Sequence, residues 1–435
     1  MRFDSAPKER TLVPANELCS SIFDGTHDSP KRQLNGRKLV TGKQLKNNEI
    51  LLDDAYFISE EDYQKIIIRS GVQIGDVLFT TIGTVGEVCR IKAPAEYAIK
   101  NIGVFRPKHI QDSLWFYYYF LSPQGRATIE ALKRGSTQQF IGLNELRNFP
   151  IPTPGDVTFR AAQTRILDLL DSKILINRQI SSTLDKLATA IFTSWFIDFD
   201  PVKAKIAGGK PVGLNDEIAA LFPDSMDESE LGPIPTGWEV CSVSDFGRVV
   251  TGKTPSTKKP QYWGVEIPFV TIPDLHGQLI VTSTRRALTQ FGADSQQSQS
   301  LPRGTTMVSC IATPGLVSYA SVPCQTNQQI NSVIPSSQHP PAWLYWHMRS
   351  LIPQLIRHSG IGTVFANLNK SDFSNIKSTT PPKLIREAFS EVATPILDMI
   401  ENLSRQSQIL AEARDALLPR LISGELQIPE AMRAS

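Results

Sequence analysis

Along this chain the apolar positions switch between two periods, and the switches come twice in the same order. Between Val72 and Ile91 the β-formers Val77, Leu78, Phe79, Thr80 and Ile82 gather around Gly83 and Gly86, which predicts strand, turn, strand. Leu114 to Lys133 then reads as a helix that stops at Gly135. The second half repeats this, with strands near Thr306 to Val322 and a helix from Trp343 to about His358, ending near Gly360. Both modules are expected to be α+β with short, irregular strands.

Each module is followed by a longer helical stretch. Arg160 to Phe196 contains neither Gly nor Pro. Leu170, Asn177, Leu184 and Ile191 recur every seven residues, Ile166, Ile180 and Leu187 fill the companion positions, and Lys173 is one polar intrusion. Glu387 to Leu418 does the same through Ile396, Leu403, Leu410 and Leu417, with Pro395 expected near the helix start or at a kink. At 1.5 Å per residue each helix would run roughly 45–55 Å. Such apolar stripes need a partner, and the simplest is each other. Asn177 either fixes the register from inside the seam or lies on the surface, if the heptad is displaced by one.

The repeat is also written in the residues. Gly75 to Gly86 returns as Gly304 to Gly315 in the shared frame G-x6-I-x-T-x-G. Gly135, Phe140, Leu143 and Asn144 match Gly360, Phe365, Leu368 and Asn369 at identical spacing. The I-x-T-x-G turns could offer backbone N–H groups to phosphate or be plain hairpin turns. Neither is a P-loop, since no Gly-Lys-Ser/Thr follows. The expected organisation is a module over 1–155, a helix over 156–200, a linker over 201–235, a second module over 236–382, a distal helix over 383–426 and a loose tail over 427–435. The linker expectation rests on the Gly, Pro and acidic residues between Ile197 and Trp238.

Composition narrows the function classes. The net charge is +2, so any nucleic-acid surface must be local. Five cysteines with no C-x-x-C pair read as reduced thiols, without disulfide or zinc site. Met1-Arg2-Phe3-Asp4 opens no signal peptide and Leu114–Leu121 is too short to span a bilayer, so the expected location is cytoplasmic, away from membranes.

Two acid-free stretches carry the local charge. Lys31, Arg32, Arg37, Lys38, Lys43 and Lys46 form one; Arg248, Lys253, Lys258 and Lys259 form the other. Either they bind phosphates and displace counterions, or they are solvated loops. Tyr262 and Trp263 follow the second stretch as stacking candidates or as packing residues. Asn16, Gln44, Asn47, Asn48, Gln261, Gln278 and Gln290 have the chemistry to read adenine edges. Chemistry of bond-breaking is not written here. The Pro-Pro pairs, His339-Pro340-Pro341-Ala342 and Thr380-Pro381-Pro382-Lys383, do not fit an adenine methyltransferase strip. Asp198, Asp200 and Lys203 only loosely suggest a nuclease, and the histidines lack metal-ligand spacing.

Four places resemble the DNA-specificity subunit of type I restriction-modification systems. They are Asp24 to Pro30; Thr251 to Ser256 with Tyr262 to Gly264 and Ile267 to Leu275; Ile166 to Phe196 with its exit Asp198 to Lys205; and Leu417 to Leu426. The order domain, helix, domain, helix matches that family's plan. The resemblance implies two similar target recognition domains joined by two long helices that pair as an antiparallel coiled coil, a pseudo-two-fold internal repeat. It implies that each domain reads one half of an asymmetric, split duplex DNA target, and it adds Thr26, His27 and Thr254 to the DNA-facing candidates. It further implies partners: two methyltransferase subunits that use S-adenosylmethionine, and a restriction/translocase subunit that can join them. This chain would hold no cofactor, metal or catalytic residue. The rival readings are a self-contained methyltransferase or nuclease, and a coiled-coil adaptor that binds only proteins.

Overall fold

The computed structural model describes residues 11–46, 48–136, 138–359, 367–426 and 428. Asn47, Gly360, Phe365 and most of the expected tail lie outside the described residues. The chain divides into two compact units, residues 1–174 with 409–435, and residues 175–408. Both long helices, Val157–Phe196 and Lys383–Ser423, contribute to both units.

In the first unit the central sheet runs Cys19–Asp24, Ile102–Pro107, Val77–Thr80, Val88–Arg90, all antiparallel. In the second it runs Gly247–Thr251, Ile330–Pro335, Thr306–Ser309, Val317–Ala320, extended by a short parallel strand Ile280–Val281. The first four strands follow the same order, so the duplication seen in the residues is a duplication of topology. Each module is closed by a further antiparallel pair: Pro150–Thr153 with Thr11–Pro14, and Lys377–Thr380, just ahead of Pro381 and Pro382, with Glu239–Ser242.

The I-x-T-x-G segments are self-contained turns. Thr80 Oγ1 and Ser309 Oγ each donate to a carbonyl four residues on, Thr84 and Thr313. Each also accepts the N–H seven residues on, Glu87 and Leu316, at 2.9 Å. The frame needs a left-handed backbone at both ends, ahead of the strand at φ +93° and +92° (Gly75, Gly304) and in the turn at +96° and +91° (Gly86, Gly315), where a Cβ is strained.

Each expected module helix is two helices. Asp112–Leu121 ends at Ser122, whose hydroxyl accepts the Gly125 N–H at 3.1 Å and starts Pro123–Leu132. Pro123 at the first helical position lacks the N–H that would continue the ladder. Pro353 divides Pro341–Ser350 from Ile352–His358 in the same way. Pro395, by contrast, divides no helix; it lies within Lys383–Ser423 rather than at its start.

Helix pairing is visible inside each unit. In the second, Asn177 Nδ2 donates to Gln406 Oε1 at 2.8 Å and Phe192 meets Phe389 at 5.4 Å between ring centroids, which makes the two helices antiparallel. In the first, Arg414 binds Asp171 at 2.6 Å and Leu167 shares a core with Leu421 and Ile422. Asn177 is wholly buried. Leu184 and Ile191 pack against the core of the second unit and Leu417 against that of the first; Ile396 is buried, and Leu170, Leu403 and Leu410 are half-buried. Of the companion positions, Ile166 packs against the core of the first unit, and the others are displaced by one from expectation. Leu167, Ile174, Ala188 and Trp195 are buried, whereas Ile180 and Leu187 are 40% and 51% exposed and Lys173 points outward.

The stretch expected as a surface linker is packed. It forms helices Asp200–Ile206 and Asp216–Leu221, and Val202, Phe222 and Ile234 are buried in the core of the second unit beside Trp195 and Trp238. Its acids and glycines stand on the outer side of an apolar thread that composition alone concealed. No described helix is long and apolar enough to cross a membrane.

Candidate nucleic-acid interface

A glycine loop leaves the first strand of each central sheet and is anchored in the same way. Gly25 N–H donates to Ile102 O at 2.9 Å and Thr26 N–H to Ile99 O at 3.0 Å; Gly252 N–H donates to Ile330 O at 3.1 Å and Lys253 N–H to Thr326 O at 2.9 Å. The backbones approach so closely that a Cβ on Gly25 would lie 2.6 Å from Ile99 O, and one on Gly252 2.2 Å from Asn327 O. Only glycine fits either place. The correspondence of the two loops was not read from the residues, although each glycine follows a strand at nearly the same distance ahead of the G-x6-I-x-T-x-G frame.

In the first loop Thr26 is buried and its hydroxyl is spent on Asp28. His27 stands exposed, its ring held between Asp24 and Asn101, each at 2.8 Å. The basic residues beyond it fall into two groups. Arg37 and Lys38 sit in strand Arg37–Thr41. Arg37 is paired with Glu60 at 2.9 Å and Glu96 at 3.3 Å, and Lys38 donates to Ala55 O at 3.0 Å over the Phe57 ring. Lys31, Arg32, Lys43 and Lys46 are exposed and make no ion pair among the described residues; Arg32 rests 4.8 Å above Tyr56. Gln44 is buried and caps its own turn by accepting from Thr41, so it is no base reader in this conformation.

In the second loop Lys253 and Lys258 are exposed, Thr254 donates to Gln328 at 2.7 Å, and Arg248 reaches Ser298 O at 3.3 Å. Lys259 lies over Tyr262, which itself packs on Phe291. Trp263 is held between Arg286, 3.6 Å from its ring centroid, and Phe269, edge-on at 5.2 Å. With Arg286 over one face and Phe269 against the ring, Trp263 is engaged in packing the module. Arg286 and the Gln296 amide, which donates to Lys253 O at 2.7 Å, support this loop and carried no signal in the local pattern.

Among the described residues no group of His, Cys, Asp and Glu could hold a metal ion. Asp200 accepts from Ser194 at 2.7 Å, and neither Asp198 nor Lys203 joins it. Burial pushes the Cys19, Cys89, Cys241, Cys310 and Cys324 thiols up, away from the nucleophilic thiolate.

Two copies of one sheet, each with a basic glycine loop and each continued by a paired helix, define a duplicated recognition scaffold. Residues 28–186 and 235–417 match the type I restriction modification DNA specificity domain, and the chain belongs to that family. It is 37% identical over 310 residues to the type I restriction enzyme HindI specificity subunit of Haemophilus influenzae, covering 61% of this chain and 68% of that one. It is 26% identical over 406 residues to the MjaIX specificity subunit of Methanocaldococcus jannaschii, covering 90% and 87%. The fold is similar to the S subunit of a type I restriction-modification system from M. genitalium, with a TM-score of 0.58 at 13% identity over 97% of this chain and 98% of that one.

Proposed function

We propose that this chain is the non-catalytic specificity subunit of a type I restriction-modification complex, in which each module reads one half of a split duplex DNA target. The observation that carries this is the pair of identically anchored glycine loops, each presenting exposed cations from a different side-chain set. A common backbone frame with divergent loops suits two half-sites of different sequence. Lys31, Arg32, Lys43 and Lys46 in one module and Lys253 and Lys258 in the other are the phosphate contacts of this reading.

Methylation belongs to partner subunits that bring S-adenosylmethionine, two of them in this proposal, and a restriction/translocase subunit can complete the assembly. Support for docking comes from the second unit, where Ile176, Ile180 and Leu187 on one helix, and Val392 and Met399 on the other, are large apolar residues left exposed. Stripes of this kind cover themselves with a partner helix. Mapping methylated adenines in cells with and without this chain tests the function. A split motif that vanishes with the chain is expected, and an unchanged methylome overturns the reading. Methyl transfer or DNA cleavage by the purified chain alone would establish the enzyme reading instead.

A further inference from the structure

The root of the distal helix contains a buried cation without a carboxylate. Arg160 and Arg386 are each the fourth residue of their long helix. Arg160 Nε and Nη2 grip Asp112 at 2.6 and 2.9 Å, and both residues are buried. Aligning Trp115-Phe116-Tyr117 with Trp343-Leu344-Tyr345 sets Pro340 where Asp112 stands and His339 where Gln111 stands. Proline supplies no acid, and Arg386 forms no ion pair among the described residues.

Arg386 is nevertheless only 7% exposed. Its Nη1 donates to Thr380 Oγ1 at 2.9 Å and its guanidinium lies 5.6 Å from the Trp343 ring centroid, but its buried Nε has no acceptor. An unpaired buried guanidinium is costly, and a carboxylate is its best-matched partner. The same residue lines a cavity of about 450 Å³ together with Glu239, Asp245, His339, Thr380 and Lys383. Of the two acids, Asp245 already accepts the Ser242 N–H at 2.7 Å and Glu239 is exposed at the rim. Neither closes on Arg386.

We propose that this cavity binds a carboxylate, held by the Arg386 guanidinium in the role that Asp112 plays for Arg160, with Lys383 also lining the site. The first module carries its carboxylate within the chain; the second takes one from outside. The source is either a free small carboxylate or an acidic side chain of a docked protein. Bound, it would complete the clamp that ties the second module to its helix.

The test uses the full chain, with acetate as probe and chloride at equal pH and ionic strength as control. Acetate should move the Arg386 Nε–H resonance saturably, the resonance being assigned by its loss in Arg386→Lys, and should raise Tm above the chloride value. Arg386→Gln should lose the acetate effect. Pro340→Asp, which supplies the missing acid, should raise Tm in chloride and also lose it. If acetate and chloride act alike on the wild-type resonance, or if the acetate effect survives in Arg386→Gln, the proposal is overturned. Repeating the titration on the chain assembled with co-purified subunits separates the sources. A persisting response means a free carboxylate, and a response lost on assembly means a partner's acid.

Discussion

Where the first module meets its helix, Asp112 and Arg160 form a buried, doubly hydrogen-bonded ion pair. At the matching place in the second module stand two histidines and a tryptophan: His347 stacks on Trp343 at 4.5 Å and His339 stacks on the same ring at 5.8 Å. The frame around them is the same, down to the hydrogen bonds of the turns and the anchoring of the glycine loops. The difference teaches which parts of a duplicated fold are interchangeable. Backbone geometry admits one solution and is kept, whereas a buried polar junction can be satisfied by charge, by aromatic stacking or, as proposed here, by a ligand.

The largest effect should come from exchanging a module whole. Replacing residues 236–382 with the equivalent module of a relative is expected to change one half of the methylated motif completely and leave the other intact. Methylome mapping checks this, and a change in both halves would mean that the modules do not read independently.

Breaking the clamp comes next. Asp112→Asn leaves Arg160 buried without its counter-charge and should destabilise the first unit by about 3–5 kcal/mol. Arg386→Gln removes no pair and should cost the second unit far less. Denaturant unfolding followed by a probe in each unit compares them, and equal losses would deny the asymmetry.

Acid should then distinguish the units. Burial, reinforced by neighbouring positive charge, pushes the imidazole of His347 down to about 3 and that of His339 to about 4. The unfolded chain protonates below roughly pH 6.5 while the folded one refuses the proton. Stability from these histidines is therefore complete above that pH and lost as pH falls toward 4. At pH 5 the loss from His347 alone is about 2 kcal/mol. Denaturant titrations between pH 7 and 5 should show it in the second unit, and His347→Phe should remove it.

The smallest effect is electrostatic. Changing Lys31, Arg32, Lys43 and Lys46 to Glu should lower the log–log salt slope of duplex binding by about 0.9 per lost phosphate contact. The same change at Arg37 and Lys38, which are engaged within the module, should leave the slope nearly unchanged and lower Tm. Binding titrations at several salt concentrations decide between the two groups. A reversed outcome would put the strand, not the loop, against DNA.

Much of this protein is local in origin and so was legible in its residues. The duplicated turns follow from glycines at fixed spacing. The long helices follow from gap-free apolar periodicity, and the order of domain and helix from the repeat of both. The phase of the helix seam was not legible. Adjacent apolar pairs such as Leu187 and Ala188 satisfy a heptad in either register, and only the folded packing buries Ala188 and leaves Leu187 exposed. Asn177 is ambiguous in the sequence for the same reason, and its contacts with Gln406 and Ser407 place it in the seam. The buried linker segment, the pairing that removes Arg37 and Lys38 from the phosphate surface, and the enclosure of Trp263 all depend on groups distant in sequence. So does the contrast between Arg160 and Arg386. Both are an arginine in the first turn of a long helix, and whether a carboxylate lies opposite is settled by a different helix brought alongside by the fold.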